Sequence, residues 1–264
     1  MDLDIKDHVV IVTGGSKGIG EGICRCLADE QAIPVIVGRS PDEGNRLVEE
    51  FKSKQIDASY IFAELADPED CKSAVQKVVT TYGRIDALVN NAGANDGVGL
   101  EKGTPEAFLD SLKNNLHHYF YMAHYCLPWL KKFQGSIVNV SSKTAVTGQG
   151  GTSAYVAAKG AQLAMTREWA VELLKYKIRV NAVVPAEVMT PLYKKWLSGF
   201  DNPTEKLESI TKNIPLGNRM TTIEEMAAMV VYLLSKQAYH ITGQFLFVDG
   251  GYVHLDRSLA GTDN

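Results

Sequence analysis

The chain has 264 residues, 45% hydrophobic and 22% charged, which is ordinary globular composition with enough length to bury a large core. A net charge of −4 with no lysine/arginine block argues against a nucleic-acid surface, and no apolar run, residues 226–234 included, is long enough to span a bilayer. The acidic start, MDLDIKD, goes straight into a strand-like run and is no signal peptide, and Cys24, Cys26, Cys71 and Cys126 lack metal spacing. Four reduced thiols in a cytoplasmic protein is the simplest account.

In chain order, residues 8–13 (HVVIVT) form an apolar run suited to a central parallel strand. The loop GGSKGIG follows at once, with Gly14, Ser16, Lys17, Gly18, Ile19 and Gly20, and then a helical pattern begins. Strand, glycine loop and helix form the context of a phosphate-binding turn, since glycines let a pyrophosphate approach the N–H groups at the helix start. A plain glycine turn is the alternative. The second strand, residues 34–37, ends at Arg39, about 20 residues past the loop, where a carboxylate would bind the ribose hydroxyls of NAD. Arginine there would instead pair with a 2′-phosphate, with Lys17 assisting, so the reading leans towards NADP.

Residues 42–54 read as a charged amphipathic helix, 58–62 as a third strand with Glu64 and Leu65 at its end, and 68–82 as a helix. Residues 86–89 make a fourth strand, closing in Asn90, Asn91, Ala92 and Gly93. Alternating strands and helices with short connections predict a single doubly wound, Rossmann-type parallel sheet with helices on both faces, an α/β domain spanning residues 1–264. At a strand's carboxyl end Asn90 reads as a brace and Asn91 as a ligand contact. Thr104 and Pro105 open another helix. Residues 114–130 are apolar almost all round, as a buried helix or a subunit interface would be. His117, His118 and His124 have no matching carboxylate or cysteine cluster, so no metal site is expected.

Residues 137–140 form a fifth strand, followed by SSKTAVTGQGGTSAYVAAK. Tyr155 and Lys159 are four apart, one turn above each other on a helix. An ammonium beside a phenol favours the phenolate, lowering its pKa from about 10 and making an acid/base usable near neutral pH. Ser142, at the strand's carboxyl end, could hold the reacting oxygen. An exposed helical Tyr/Lys pair after a serine-rich loop is the bland alternative. A sixth strand, 179–184, ends at Pro185. Residues 190–212 have the less regular pattern of a flap of short helices. A helix capped by Thr222 and Glu225 and a seventh strand, 245–248, follow.

Taken together, the loop at residues 13–20, Asn90-Asn-Ala-Gly93, Asn115-Leu116, Ser142 thirteen before Tyr155, Lys159, the segment 185–190 and the end Val248-Asp-Gly-Gly251 resemble the short-chain dehydrogenase/reductase family along essentially the whole chain. The resemblance implies a tetrad of Asn115, Ser142, Tyr155 and Lys159. Tyr155 would be the acid/base, Ser142 would polarise the reacting oxygen, Lys159 would lower the pKa of Tyr155 and hold the nicotinamide ribose, and Asn115 would anchor a relay water. Pro185, Val188 and Thr190 would hold the nicotinamide. It further implies NAD or NADP, a small-molecule substrate and a homotetramer, with no membrane or nucleic-acid partner. Two departures stand out: Glu64 where the family usually has Asp, and Ala186 where it usually has Gly.

Within the family, residues 185–193 and the tail 248–257 look like the L-fucose dehydrogenase group, which oxidises the anomeric hydroxyl of an aldose to a lactone. Asn95, Asp96, Lys143, Gln149 and Glu187 flank the strand ends where substrate must lie, and a sugar demands several aimed hydrogen-bonding groups. Trp196 and Tyr193 could stack on a sugar face or simply pack the flap. The alternatives are reduction of a 3-oxoacyl thioester or, from another class, a cofactor-sensing regulator without turnover.

Overall fold

Runs rich in valine and isoleucine can be buried on both faces only if their backbone groups pair with neighbours on both edges. The computed structural model, which describes residues 2–255, meets that demand with one parallel sheet. Its strands are β1 (Val9–Thr13), β2 (Ile33–Gly38), β3 (Ser59–Phe62), β4 (Ala87–Asn90), β5 (Ser136–Val140), β6 (Arg179–Pro185) and β7 (Phe245–Val248), in the order β3-β2-β1-β4-β5-β6-β7. Every residue of β1, β5 and β6 is buried. At about 1.5–3 kcal/mol for each large aliphatic side chain removed from water, these central strands add to a hydrophobic gain that the helices share.

Helices cover both faces, as expected from the alternation. On one side lie α1 (Gly18–Asp29) and α2 (Pro41–Ser53), with Ile23, Leu27, Leu47 and Phe51 in the core. On the other lie α3 (Pro68–Tyr82), α4 (Pro105–Leu112), α5 (His118–Phe133) and α6 (Ser153–Leu173), contributing Val78, Tyr119, Met122 and Trp169. Where the flap was expected, α7 (Pro191–Leu197) and α8 (Pro203–Thr211) follow β6. The last α-helix among the described residues, α9 (Ile223–Leu234), begins with the full reciprocal cap: Glu225 N–H donates to Thr222 Oγ1 at 3.2 Å, and Thr222 N–H to Glu225 Oε2 at 2.8 Å. No helix among the described residues is long and apolar enough to cross a membrane.

Two expectations change. The helix expected over residues 114–130 does not start afresh. It continues from α4 through a π-helical turn, Lys113–His117, that contains Asn115. Nor is it buried all round, because Phe120 is 52% exposed and stacks on His124 with ring centroids 5.7 Å apart. The tail residues 256 and 257 lie outside the described residues.

The reversal of strand order between β1 and β4 opens a crevice at the carboxyl ends of the strands, the place where ligands bind in such sheets. The glycine loop, residues 91–93, Ser142 and residues 186–190 all leave the sheet at that edge.

Candidate active site

The glycine loop is held from below. Gly14 has a φ of +64° and Gly18 of +56°, values that favour glycine, and a Cβ on Gly20 would stand 2.3 Å from the Gly14 carbonyl oxygen. The loop therefore folds tightly into the start of α1, whose N-cap, Lys17, makes no side-chain cap. The first-turn N–H groups of this helix are thus not capped by a side chain of the loop, which suits a pyrophosphate. Asn91 Nδ2 donates to the carbonyls of Thr13 (2.9 Å) and Gly14 (3.3 Å), while Thr13 Oγ1 accepts from the N–H groups of Asn91 (2.9 Å) and Ala92 (3.1 Å). So the amide of Asn91, expected at the ligand, braces the cradle. Asn90, expected as a brace, ties β4 to Asn139 at 3.1 Å.

At the end of β2, Arg39 is mostly exposed, with its guanidinium 3.7 Å from Glu64. Lys17 pairs with Glu43 at 2.6 Å. Both cations expected to read a 2′-phosphate therefore already face a carboxylate. Glu43, in the first turn of α2, escaped the sequence reading because nothing in its local pattern marks it. Leu65 is buried nearby, and Ile19 packs partly against the core.

The residues expected to do chemistry converge. Ser142 Oγ accepts from Thr144 Oγ1 at 3.0 Å, and Ser142 hydrogen-bonds the phenol of Tyr155. Asn115 sits in the π turn, which turns its groups inward. Its Oδ1 accepts from Ala94 N–H at 2.8 Å, its Nδ2 donates to the Ser111 carbonyl at 3.1 Å, and its own carbonyl accepts from Gln162 Nε2 at 2.7 Å. A Cβ on Gly93 would lie 2.9 Å from Asn115 Oδ1 and 3.9 Å from Lys159 Nζ, so the Asn-Asn-Ala-Gly turn closes directly over these groups. Lys159 Nζ donates to the Val140 carbonyl at 2.9 Å, with the Tyr119 hydroxyl at 3.5 Å.

The chain's own groups hold the Tyr155 phenol above its ordinary range. Burial pushes the phenol up to about 12, opposed only by the Ser142 hydrogen bond and reinforced by the charge of Asp96. Burial also brings Lys159 down to about 7. By the pH at which the phenol ionises, the amine has lost the charge that would help it. Gln162 and Tyr119 are part of this buried cluster, and the sequence reading missed them because an isolated Gln or Tyr in a helix carries no motif. Gln162 lies three residues past Lys159, a spacing that could have flagged it.

On the substrate side, Lys143 donates to Glu187, and both side chains are largely buried. Asn95 is exposed and accepts from Gly97 N–H at 3.1 Å, and Gln149 is exposed. Trp196 stands between Tyr193 (5.1 Å) and Phe200 (4.8 Å), an aromatic row internal to the flap region. Thr190 caps α7 by accepting from Tyr193 N–H at 3.2 Å, and the N–H of Thr190 donates to the Val188 carbonyl at 2.8 Å. Pro185, expected beside the nicotinamide, ends β6 and is buried. Among the described residues, no cluster of three or more His, Cys, Asp or Glu could hold a metal ion. His118 is buried, with its Nε2 3.1 Å from the Asn114 carbonyl.

A dinucleotide cradle ending in a buried Ser/Tyr/Lys/Asn cluster defines a class, and comparison with known proteins agrees. The family model described as enoyl-(acyl carrier protein) reductase matches residues 14–253, and the chain belongs to the short-chain dehydrogenase/reductase family. It is an NAD(P)-dependent oxidoreductase. It is similar to the 3-oxoacyl-[acyl-carrier-protein] reductase FabG of Thermotoga maritima, 34% identical over 94% of this chain and 99% of the relative. It is equally similar to the L-fucose dehydrogenase of Bos taurus, 34% identical over 92% of this chain and 88% of that protein. Among solved structures, the Cj0485 dehydrogenase is 52% identical with a TM-score of 0.93, covering 97% of this chain and 98% of its own.

Proposed function

We propose that the chain oxidises the anomeric hydroxyl of a free aldose, L-fucose or a stereochemical relative, to the lactone. The observation that carries the reaction is the cluster at the crevice: Ser142 on the Tyr155 phenol, Lys159 one turn along α6, and Asn115 above them. Ser142 would position the substrate oxygen, Tyr155 would take its proton, Lys159 would hold the nicotinamide ribose, Asn115 would anchor a water relaying protons to Lys159, and residues 14–20, Ala92, Gly93, Val188 and Thr190 would hold the rest of the cofactor. NAD(P)+, when bound, would supply the hydride acceptor.

The aldose reading is supported by the likeness to L-fucose dehydrogenases and by the charged and amide groups at the substrate end, among them Asn95, Asp96 and Gln149. A long apolar acyl chain would desolvate such groups without replacing their hydrogen bonds. Reduction of a 3-oxoacyl thioester is the second reading, favoured by the equal likeness to FabG. Nicotinamide reduction followed across a panel of aldoses is the test. Turnover of an aldose is expected; silence on all of them, with NADPH oxidised by an acetoacetyl thioester, would replace the first reading by the second. Binding of NAD(P) with no turnover of either substrate would leave a cofactor sensor.

In this reading the protein is one catalytic domain acting in the cytoplasm, with residues 190–212 as a flap. It assembles as a homotetramer through the outer faces of α4 to α6, where Leu109, Phe120 and Val171 are exposed.

A further inference from the structure

One residue past Ser142 the chain buries a complete ion pair. Lys143 and Glu187 have side chains only 12% and 14% exposed. They come from the loops after β5 and β6, adjacent strands whose register is set by their own backbone ladder, so the sheet does not need the pair. Burying two opposite charges seldom stabilises a fold more than apolar packing would. Such a pair beside a reacting centre calls for an explanation in binding.

Its surroundings are aromatic and fixed. The Tyr252 ring lies under the Lys143 ammonium, 4.0 Å from centroid to Nζ. Asp249, itself buried, accepts from the N–H groups on either side of Tyr252, Gly251 at 2.8 Å and Val253 at 2.9 Å, and so fixes the backbone that carries the ring. From α7, Tyr193 hydrogen-bonds Glu187, and burial together with that carboxylate pushes its phenol well up, keeping it a hydrogen-bond donor. An ammonium has three donors and a carboxylate several lone pairs. A pair that has used one of each still presents a charged donor next to a charged acceptor. Neighbouring hydroxyls, each able to donate and accept, match that arrangement, and the tyrosine faces suit the C–H face of a sugar ring. An apolar substrate would bury both charges with nothing in return.

We infer that Lys143 and Glu187, framed by Tyr193 and Tyr252, form a polar subsite that reads adjacent hydroxyls of a polyhydroxylated substrate and so selects the substrate class. This deepens the aldose reading and rests on it. The rival explanation is a latch that merely ties α7 and the segment around Tyr252 to the loop after β5.

The experiment compares kcat/KM for L-fucose with that for analogues lacking one ring hydroxyl each, in the wild-type enzyme, Glu187→Gln and Lys143→Met, at saturating cofactor. Cofactor affinity is measured in parallel by nicotinamide fluorescence. The wild-type enzyme should prefer the full sugar over at least one analogue by about tenfold or more, as expected for a lost hydrogen bond to a charged group. In each variant that preference should collapse towards equality, through the loss on the full sugar, with cofactor affinity unchanged. A latch would lower all the sugars together and leave the preference intact, which would overturn the subsite while the aldose reading stands. No turnover of any aldose by the wild-type enzyme would overturn both. If Glu187→Gln fails to bind cofactor and so has not folded, Lys143→Met decides.

Discussion

Lys159 Nζ donates to the Val140 carbonyl at 2.9 Å and stands 5.5 Å from the centre of the Tyr155 ring. The amine lies beside the phenol's ring and is anchored to the strand. With Tyr155 raised to about 12 and Lys159 lowered to about 7, the chain's own groups keep the phenol protonated through neutral pH.

Oxidation needs the phenolate. In an aldose assay at saturating cofactor, kcat/KM should therefore climb about tenfold per pH unit on the acid side of its limb, and Tyr155→Phe should cost about 10²–10⁴ in kcat. A flat profile from pH ~6 to ~9 would contradict a phenol base held up by burial.

Tyr119 is wholly buried, its hydroxyl donating to Val140 O at 2.9 Å and standing 3.5 Å from Lys159 Nζ. Tyr119→Phe removes an acceptor from the ammonium. Lys159 then loses its charge at lower pH. The titration of the amine in the folded protein, followed through the pH dependence of the melting temperature, should move down by about 0.5–1 unit, the equivalent of one hydrogen bond of about 1 kcal/mol. An unmoved titration with a lowered melting temperature would leave Tyr119 a packing residue.

Burial holds Lys159 at about 7 in the fold, against about 10.4 in the unfolded chain. Between these values the unfolded state binds more protons, so this residue's contribution makes stability rise with pH across that window. Below it, where both states are protonated, the cost of the buried charge is present in full. Lys159→Met should therefore raise the melting temperature at pH ~7 by a few degrees, about what 1–2 kcal/mol produces in a domain of this size. The advantage should shrink by pH ~9 as the wild-type amine is released from that cost, and the variant should have lost its turnover. A variant less stable than wild type at pH ~7 would refute the buried-charge account.

In the proposed reading, a 2′-phosphate would be read at two exposed ion pairs, Arg39 with Glu64 and Lys17 with Glu43. Arg39→Asp should shift the ratio of kcat/KM from NADP towards NAD. Glu64→Gln and Glu43→Gln, which free the cations, should shift it the other way by about two- to fivefold each, the scale of exposed pairs. Ratios unchanged in all three variants would mean the 2′-position is read elsewhere.

Much of this protein was legible in one dimension because its signals are local. Seven apolar runs bounded by turn residues could satisfy their backbones only as parallel strands. The glycine spacing of residues 14–20 and the four-residue interval from Tyr155 to Lys159 are set by the geometry of a single turn and a single helix. What sequence alone could not supply depended on groups far apart in the chain. Asn115 turns inward because a π turn shifts its carbonyl, and Gln162, 47 positions later, meets it. Arg179 at the start of β6 closes the end of α9, donating to the carbonyls of Leu233, Leu234 and Ser235 at 2.6, 3.3 and 3.1 Å. The protonation states of Tyr155 and Lys159 were likewise decided only by folding. Residue type and spacing placed an ammonium near a phenol, but the amount of water removed from each determined which of them would carry charge.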